Sequence, residues 1–200
     1  EDRLVTCQAG VVTQALQEFA AERELFYPVD FASAGSSQMG GNVSTNAGGI
    51  KVIRYGLTRD WVAGLRVVTG RGELLDCNSG LVKNATGYDL RHLMIGAEGT
   101  LGLICEVDVR LTAQPEPQTV MVVGVAKVEE LLDVLSAFSR HLTLSAFEFF
   151  SDPALKKVRA HRELPSPLTD PAPFYALMEF DTSSLASGTA ALEAALLARS

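Results

Sequence analysis

Apolar and polar positions follow two different periods along the chain, and the switches between them mark out the elements. Leu4-Val5-Thr6-Cys7 predicts a short strand ending at Gly10. Over 11–22 the apolar residues Val12, Ala15, Leu16, Phe19 and Ala20 recur at helical spacing, with Gln14, Gln17, Glu18 and Glu22 opposite. That spacing predicts an amphipathic helix packed on a sheet. Period two returns at 65–69 and 73–77, either side of Gly70-Arg71-Gly72, which predicts an antiparallel hairpin. A short helix is expected over 90–95, with Asp89 before it either as a helix cap or as a functional carboxylate. Residues 103–111 alternate again and predict a strand.

Beyond 113–117 the pattern becomes strand–helix alternation. Strands are expected at 119–126, 145–150 and 174–180, and helices at 128–140, 152–161 and 184–198. Seven of the eight prolines follow Gln114, whereas glycine is concentrated before it, so two architectures meet there. The second half reads as part of a ferredoxin-like sandwich. Its basic run, Lys156, Lys157, Arg159 and Arg162, reads as the solvated face of a helix.

One stretch fits neither period. Between Asp30 and Lys51 there is no charge, and Ser33 to Gly49 (SAGSSQMGGNVSTNAGG) holds five glycines, four serines, a threonine and two asparagines. Glycine lets the backbone approach a ligand closely, and a concave run of amides can hold an anion without a lysine. A flexible linker has similar composition. Met39, Val43, Ala47 and Ile50 interrupt the run and would be wasted in a solvated tether, so a ligand-cradling loop is expected. Lys51 and Arg54 bring the first positive charges after it. Arg54 could face a phosphate or pair with Asp60, and Tyr55 could lie against an aromatic ring. Trp61 reads as core.

Composition narrows the chemistry. The net charge of −7 argues against nucleic-acid partners and anionic membranes, and no apolar run reaches the roughly 20 residues of a membrane-spanning helix. Three widely spaced cysteines fit buried thiols in a reducing compartment, and Cys7, Cys77 and Cys105 form no C-x-x-C pair. His92, His141 and His161 lack metal-ligand spacing, so no metal site is expected in this segment. Gly96, Gly99 and Gly102 imitate a dinucleotide fingerprint, but they lead into a strand rather than from a strand into a helix, which excludes a Rossmann reading. No Gly-Lys-Ser/Thr is present, which excludes a Walker A loop.

Taken together and in order, Met39 to Gly49, Arg54-Tyr55-Gly56, Gly87-Tyr88-Asp89-Leu90 and Gly96-Ala97-Glu98-Gly99-Thr100-Leu101-Gly102 resemble the flavoprotein family of vanillyl-alcohol oxidase and p-cresol methylhydroxylase. Met39 and Ala97 depart mildly from that family's commoner isoleucine and serine. The resemblance implies an α+β fold. Residues 1–113 would be the second half of a PCMH-type FAD-binding domain, an antiparallel sheet with helices, and 114–200 part of a ferredoxin-like substrate (cap) domain. It implies FAD contacts at Gly40, Gly41, Asn42, Thr45, Asn46 and Gly48, and again at Glu98, Gly99, Gly102 and Ile104. Pro28, Asp30 and Ser36 would lie beside the same cofactor. Arg54 and Tyr55 are the nearest candidates for residues beside flavin or substrate, and no general base is identified.

Within that family, Leu144 to Phe150 and Pro173 to Glu179 resemble the substrate-domain strands of D-2-hydroxyglutarate dehydrogenases, and less closely D-lactate dehydrogenases and the glycolate oxidase flavin subunit. The activity implied is hydride transfer from a small-molecule D-2-hydroxy acid to FAD, giving the 2-oxo acid, with reoxidation by an acceptor protein or quinone. The family's first flavin half would precede Glu1, and a histidine–glutamate cluster for a divalent metal would follow Ser200. The segment is therefore expected to be inactive alone and to hold FAD weakly. A cytoplasmic, membrane-peripheral or, in a eukaryote, mitochondrial location is implied, and a homodimer is compatible. A binding or assembly module that keeps the fold without redox work is the alternative of another class.

Overall fold

The computed structural model describes residues 2–78, 81, 83–185 and 189. It divides into two compact units, 1–114 and 115–200.

In the first unit, β1 (Leu4–Gln8) leads to α1 (Thr13–Ala21), which turns Thr13, Leu16 and Ala20 into the core. After β2 (Leu25–Phe26) the expected cradle loop is interrupted by a helix, α2 (Met39–Ser44). This corrects the reading of 33–49 as loop throughout. Two glycines disfavour a helix by roughly 1 kcal/mol each, but tertiary anchors outweigh that. Met39 and Val43 are fully buried, and Asn42 Nδ2 donates to the buried Thr13 hydroxyl at 2.6 Å. Then come α3 (Val52–Tyr55), α4 (Thr58–Trp61), the hairpin β3 (Val62–Val68) and β4 (Leu74–Cys77), α5 (Leu90–Met94), β5 (Leu103–Arg110) and β6 (Thr112–Ala113).

The main sheet has the order β1-β5-β3-β4, antiparallel throughout, with Cys7 opposite Val107 and Leu65 opposite both Val107 and Cys77. β2 pairs separately with β6. Leu16, Ala20, Met39, Val43, Val62, Leu65, Val67, Val107 and Val109 form the core, which clamps α1 and α2 onto the sheet. Asp89 does stand at the start of α5, but its carboxylate turns to Arg91 Nη2 at 2.6 Å rather than capping the helix amides.

In the second unit, β7 (Gln118–Val125), α6 (Glu130–Ser139), β8 (Leu144–Ser151), α7 (Asp152–His161) and β9 (Phe174–Asp181) build a sheet of order β7-β9-β8. Both pairings are antiparallel, so β7 and β8 run parallel with β9 inserted between them. This is the split β-α-β arrangement of ferredoxin-like folds. Leu131, Val134 and Phe138 of α6 pack on Ala176, Met178 and Phe180. Helix α7 buries no residue, in keeping with its basic run, and Lys156 pairs with Asp152 at 2.6 Å. The helix expected over 184–198 lies, beyond Leu185 and apart from Thr189, outside the described residues.

Candidate cofactor site

Two glycine-bearing elements meet on one side of the main sheet. Helix α2 is only six residues long, so its last carbonyls have no partner within the helix. The turn after α5 supplies partners: the Gly96 amide donates to Val43 O at 3.0 Å, and the Glu98 amide to Ser44 O at 2.9 Å. To present those amides the turn places Gly96 at φ 82°, Glu98 at φ 50° and Gly99 at φ 76°. Glycine takes such angles at no steric cost, whereas a glutamate there is strained.

Between the two elements lies a cleft of about 300 Å³, lined by Ala9, Gly10, Gln38, Gly40, Gly41, Ser44, Gly99, Gly102, Leu103 and Ile104. That volume sits at the lower end of small-molecule sites, roughly 300–1,000 Å³. No charged side chain is among those lining residues. A Cβ added at Gly10, Gly41 or Gly99 would meet nothing within 4 Å, so those positions present bare backbone to open space. Gly102 differs: its Cβ would come within 2.5 Å of Val67 Cγ1 and 2.9 Å of Val68 O, so the turn must lie flat on β3.

Of the sequence-predicted cofactor contacts, Gly40, Gly41, Gly99, Gly102 and Ile104 line the cleft. Asn42, Thr45, Asn46, Gly48, Glu98, Pro28, Asp30 and Ser36 do not line it. Several of these side chains have structural partners. Asn42 bonds Thr13, the Thr45 hydroxyl donates to Gly41 O at 3.0 Å, and Asn46 Oδ1 accepts the Arg59 amide at 3.0 Å. Gly48 packs against Leu57, and the Ser36 hydroxyl donates to Ser33 O. Pro28 is buried, and Asp30 accepts from Gln17 Nε2 at 3.4 Å beside a separate groove shared with Lys51 and Phe26.

The amides of Met39 and Gly40 donate to Val11 O at 2.9 Å and Ala9 O at 2.8 Å, so they are turned into the protein rather than toward an anion. Arg54 and Tyr55 also lie off the cleft. Tyr55 stacks edge-on against Phe26 and Trp61, with ring centroids 5.9 and 6.3 Å away, and the Arg54 guanidinium sits 5.2 Å over the Tyr55 ring. Asp60 accepts the Leu57 amide at 2.8 Å. Sequence reasoning missed Ala9, Gly10, Gln38, Ser44 and Leu103. The Ala-Gly step directly after a strand was the available signal.

Burial, reinforced by the nearby Asp108 carboxylate, pushes the Cys7 thiol up to about 11. Burial likewise raises the Tyr27 phenol far above its ordinary range. The Arg91 guanidinium holds the Asp89 carboxyl below its usual range. Among the described residues, no group of three or more His, Cys, Asp or Glu side chains is placed to hold a metal ion.

Comparison with known proteins assigns each unit to a described domain family. Residues 1–78 match the FAD binding domain, and residues 114–199 match the C-terminal domain of FAD linked oxidases. The chain belongs to this FAD-linked oxidase family, whose cofactor is FAD, and its α+β fold is that of the family. Two crystal structures of alkyldihydroxyacetonephosphate synthase align with 98% of the chain at TM-scores of 0.72 and 0.71, covering 38% and 41% of those chains. At 17% identity this likeness is one of fold alone.

Within the family, the chain is 58% identical to the D-2-hydroxyglutarate dehydrogenase of Stutzerimonas stutzeri over 92% of its length, and 52% identical to that of Xanthomonas citri over 98%. The mitochondrial D-2-hydroxyglutarate dehydrogenase of Danio rerio is 40% identical over 88% of the chain. The chain spans about two fifths of the length of the first two relatives, 39% and 40%, and 33% of the third.

FAD suits the cleft. A side-chain-free wall lets a dinucleotide approach the main chain, and Gln38 and Ser44 add neutral donors and acceptors. At about 300 Å³ the cleft has room for part of so large a ligand, not all of it.

Proposed function

We propose that the protein is part of an FAD-dependent dehydrogenase that oxidises D-2-hydroxyglutarate to the 2-oxo acid. The observation that carries this reading is the glycine-walled cleft, closed by the bonds from Gly96 and Glu98 to α2. It is supported by the 58% and 52% identity to D-2-hydroxyglutarate dehydrogenases. Bound FAD supplies the two-electron acceptor. The chain's own residues bind and orient it: Gly41 and Gly99 offer bare backbone from opposite walls, Gly102 lets the turn rest on β3, and Ile104 and Leu103 close the apolar side. Gln38 and Ser44 are the polar groups available to fix its orientation.

Asn42, Thr45, Asn46 and Glu98 act by shaping α2 and the turn, and Pro28, Asp30 and Ser36 belong to the segment that leads into α2. The substrate domain of this enzyme begins with the second unit. Its acceptor is a separate electron-transfer protein or a quinone. Among the described residues no helix is long and apolar enough to cross a membrane. The eukaryotic relatives are named as mitochondrial, and this reading carries a cytoplasmic, membrane-peripheral or, in a eukaryote, mitochondrial location.

The test is a substrate screen on the complete protein. D-2-hydroxyglutarate, D-lactate and glycolate are each offered with an artificial dye acceptor while the visible flavin band is followed. Bleaching by D-2-hydroxyglutarate at the lowest concentration is expected. Preference for D-lactate or glycolate moves the substrate, and purification without any flavin band removes the reading altogether.

A further inference from the structure

We infer that Arg59 is a positioning residue for the cofactor: it fixes the spacing between the two glycine walls without touching the ligand. This rests on the reading that the cleft takes FAD. Arg59 is not among the residues lining the cleft. It sits in α4, where its main-chain amide is held by Asn46 Oδ1 at 3.0 Å, and Asn46 takes the left-handed φ of 49° needed to offer that oxygen.

From there the guanidinium reaches the second wall. Nη2 donates to Ile95 O at 3.0 Å, and Nη1 lies 2.9 Å from His92 Nδ1 and 3.3 Å from His92 O. A guanidinium can only donate, so Arg59 Nη1 donates to His92 Nδ1, while His92 Nε2 lies 3.6 Å from Asp89 Oδ2 and 3.4 Å from Arg91 Nη2.

The decisive feature is the peptide between Ile95 and Gly96. Arg59 binds its carbonyl, while its N–H donates to Val43 O at 3.0 Å. One peptide plane is therefore gripped from both sides, by a cation and by the end of α2. A charge on the carbonyl polarises the N–H and strengthens the bond it makes. Two residues further on, Glu98 makes the second bond to α2, and the turn then carries Gly99 and Gly102 to the cleft. Removing Arg59 frees this peptide to tilt and the far wall to drift.

The test uses the complete protein and three variants, Arg59→Ala, Arg59→Lys and His92→Phe. The readouts are the FAD dissociation constant by flavin fluorescence, the visible circular dichroism of bound flavin, and the melting of the apoprotein. Lysine keeps the charge but cannot fork to Ile95 and His92 together. Arg59→Ala is expected to weaken FAD binding on the order of 10- to 100-fold, the range of coupling between separated contacts. Arg59→Lys should weaken it less, and His92→Phe least. All three should alter the flavin dichroism while the apoprotein melts close to the parent.

If Arg59→Ala does not fold, the other two carry the same expectation. The inference is overturned if the folded variants bind FAD with parental affinity and dichroism, or if their loss of FAD only tracks loss of folded protein. A parent protein that binds no flavin would instead overturn the cofactor reading, and this inference with it.

Discussion

Gly40 and Gly41 are neighbours in α2 and face opposite consequences from the same methyl group. At Gly40 the new Cβ would lie 2.6 Å from Ala9 Cβ and 3.2 Å from Ala9 Cα and O. These atoms cannot retreat without stretching the 2.8 Å bond from the Gly40 amide to Ala9 O. Overpacking of this kind costs about 1–3 kcal/mol, and the gain from replacing a helical glycine by alanine returns only about 0.5–1 kcal/mol. Gly40→Ala is therefore expected to destabilise the apoprotein by about 1–2 kcal/mol, a melting shift of several degrees.

At Gly41 the Cβ meets nothing within 4 Å and the backbone is outside the left-handed region, so the helical gain stands alone. Gly41→Ala should melt higher than the parent, by about 0.5–1 kcal/mol. Its methyl group projects where the ligand must come. A steric penalty of about 1–3 kcal/mol there weakens FAD binding roughly 5- to 150-fold. The assay pairs thermal melting of the apoproteins with flavin titration of the complete protein. A Gly41→Ala variant that is more stable and binds FAD as tightly as the parent would refute the placement of the ligand. A Gly40→Ala variant that melts no lower would refute the contact with Ala9.

Gly49→Ala puts a Cβ 1.6 Å from Asp30 O, a main-chain atom, so it should abolish soluble folding, as judged by expression and circular dichroism, where Gly10→Ala leaves folding intact. Thr13→Val removes the acceptor of the buried Asn42 amide and should cost about 1–3 kcal/mol in urea unfolding. The weakened acidity of two buried groups makes the fold sensitive to alkali. The Cys7 thiol is raised from 9.0 to about 11, and Tyr27 is raised further. The unfolded chain therefore loses these protons first, so stability is full below about pH 9 and falls as pH rises toward 11. Urea midpoints measured across that range should show the decline, and Cys7→Ala should make it shallower.

The regular elements were legible because their apolar periods coincide with the faces they bury. Leu16 and Ala20 on α1, and Val107 and Val109 on β5, are core residues at the positions their spacing demands. Helix α2 was not legible. Met-Gly-Gly-Asn-Val-Ser has poor intrinsic helicity, and it forms because Met39 and Val43 are buried and because β1 and the turn after α5 satisfy both its ends. The same limit applies to Asn42 and Asn46. In a glycine-rich run their amides read as ligand contacts, and only the folded chain shows that Thr13 and Arg59 claim them. That two glycine runs converge was implied by the family resemblance. That Ala9 and Gly10 complete the wall needed the sheet, because nothing local ties the end of the first strand to residues so much later in the chain.

The dependence of α2 on its distant partners also sets an order of assembly. A six-residue helix containing two glycines cannot nucleate by itself. It must await the arrival of the turn from far along the chain, and contacts of such high sequence separation form late. Even with the sheet in place, α2 lacks partners for its last carbonyls until the turn docks, so the cleft is expected to be among the first parts of this unit to open in native-state fluctuations. A ligand that bridges both walls would act as a latecomer's clasp, lengthening the lifetime of the closed state rather than guiding the chain toward it.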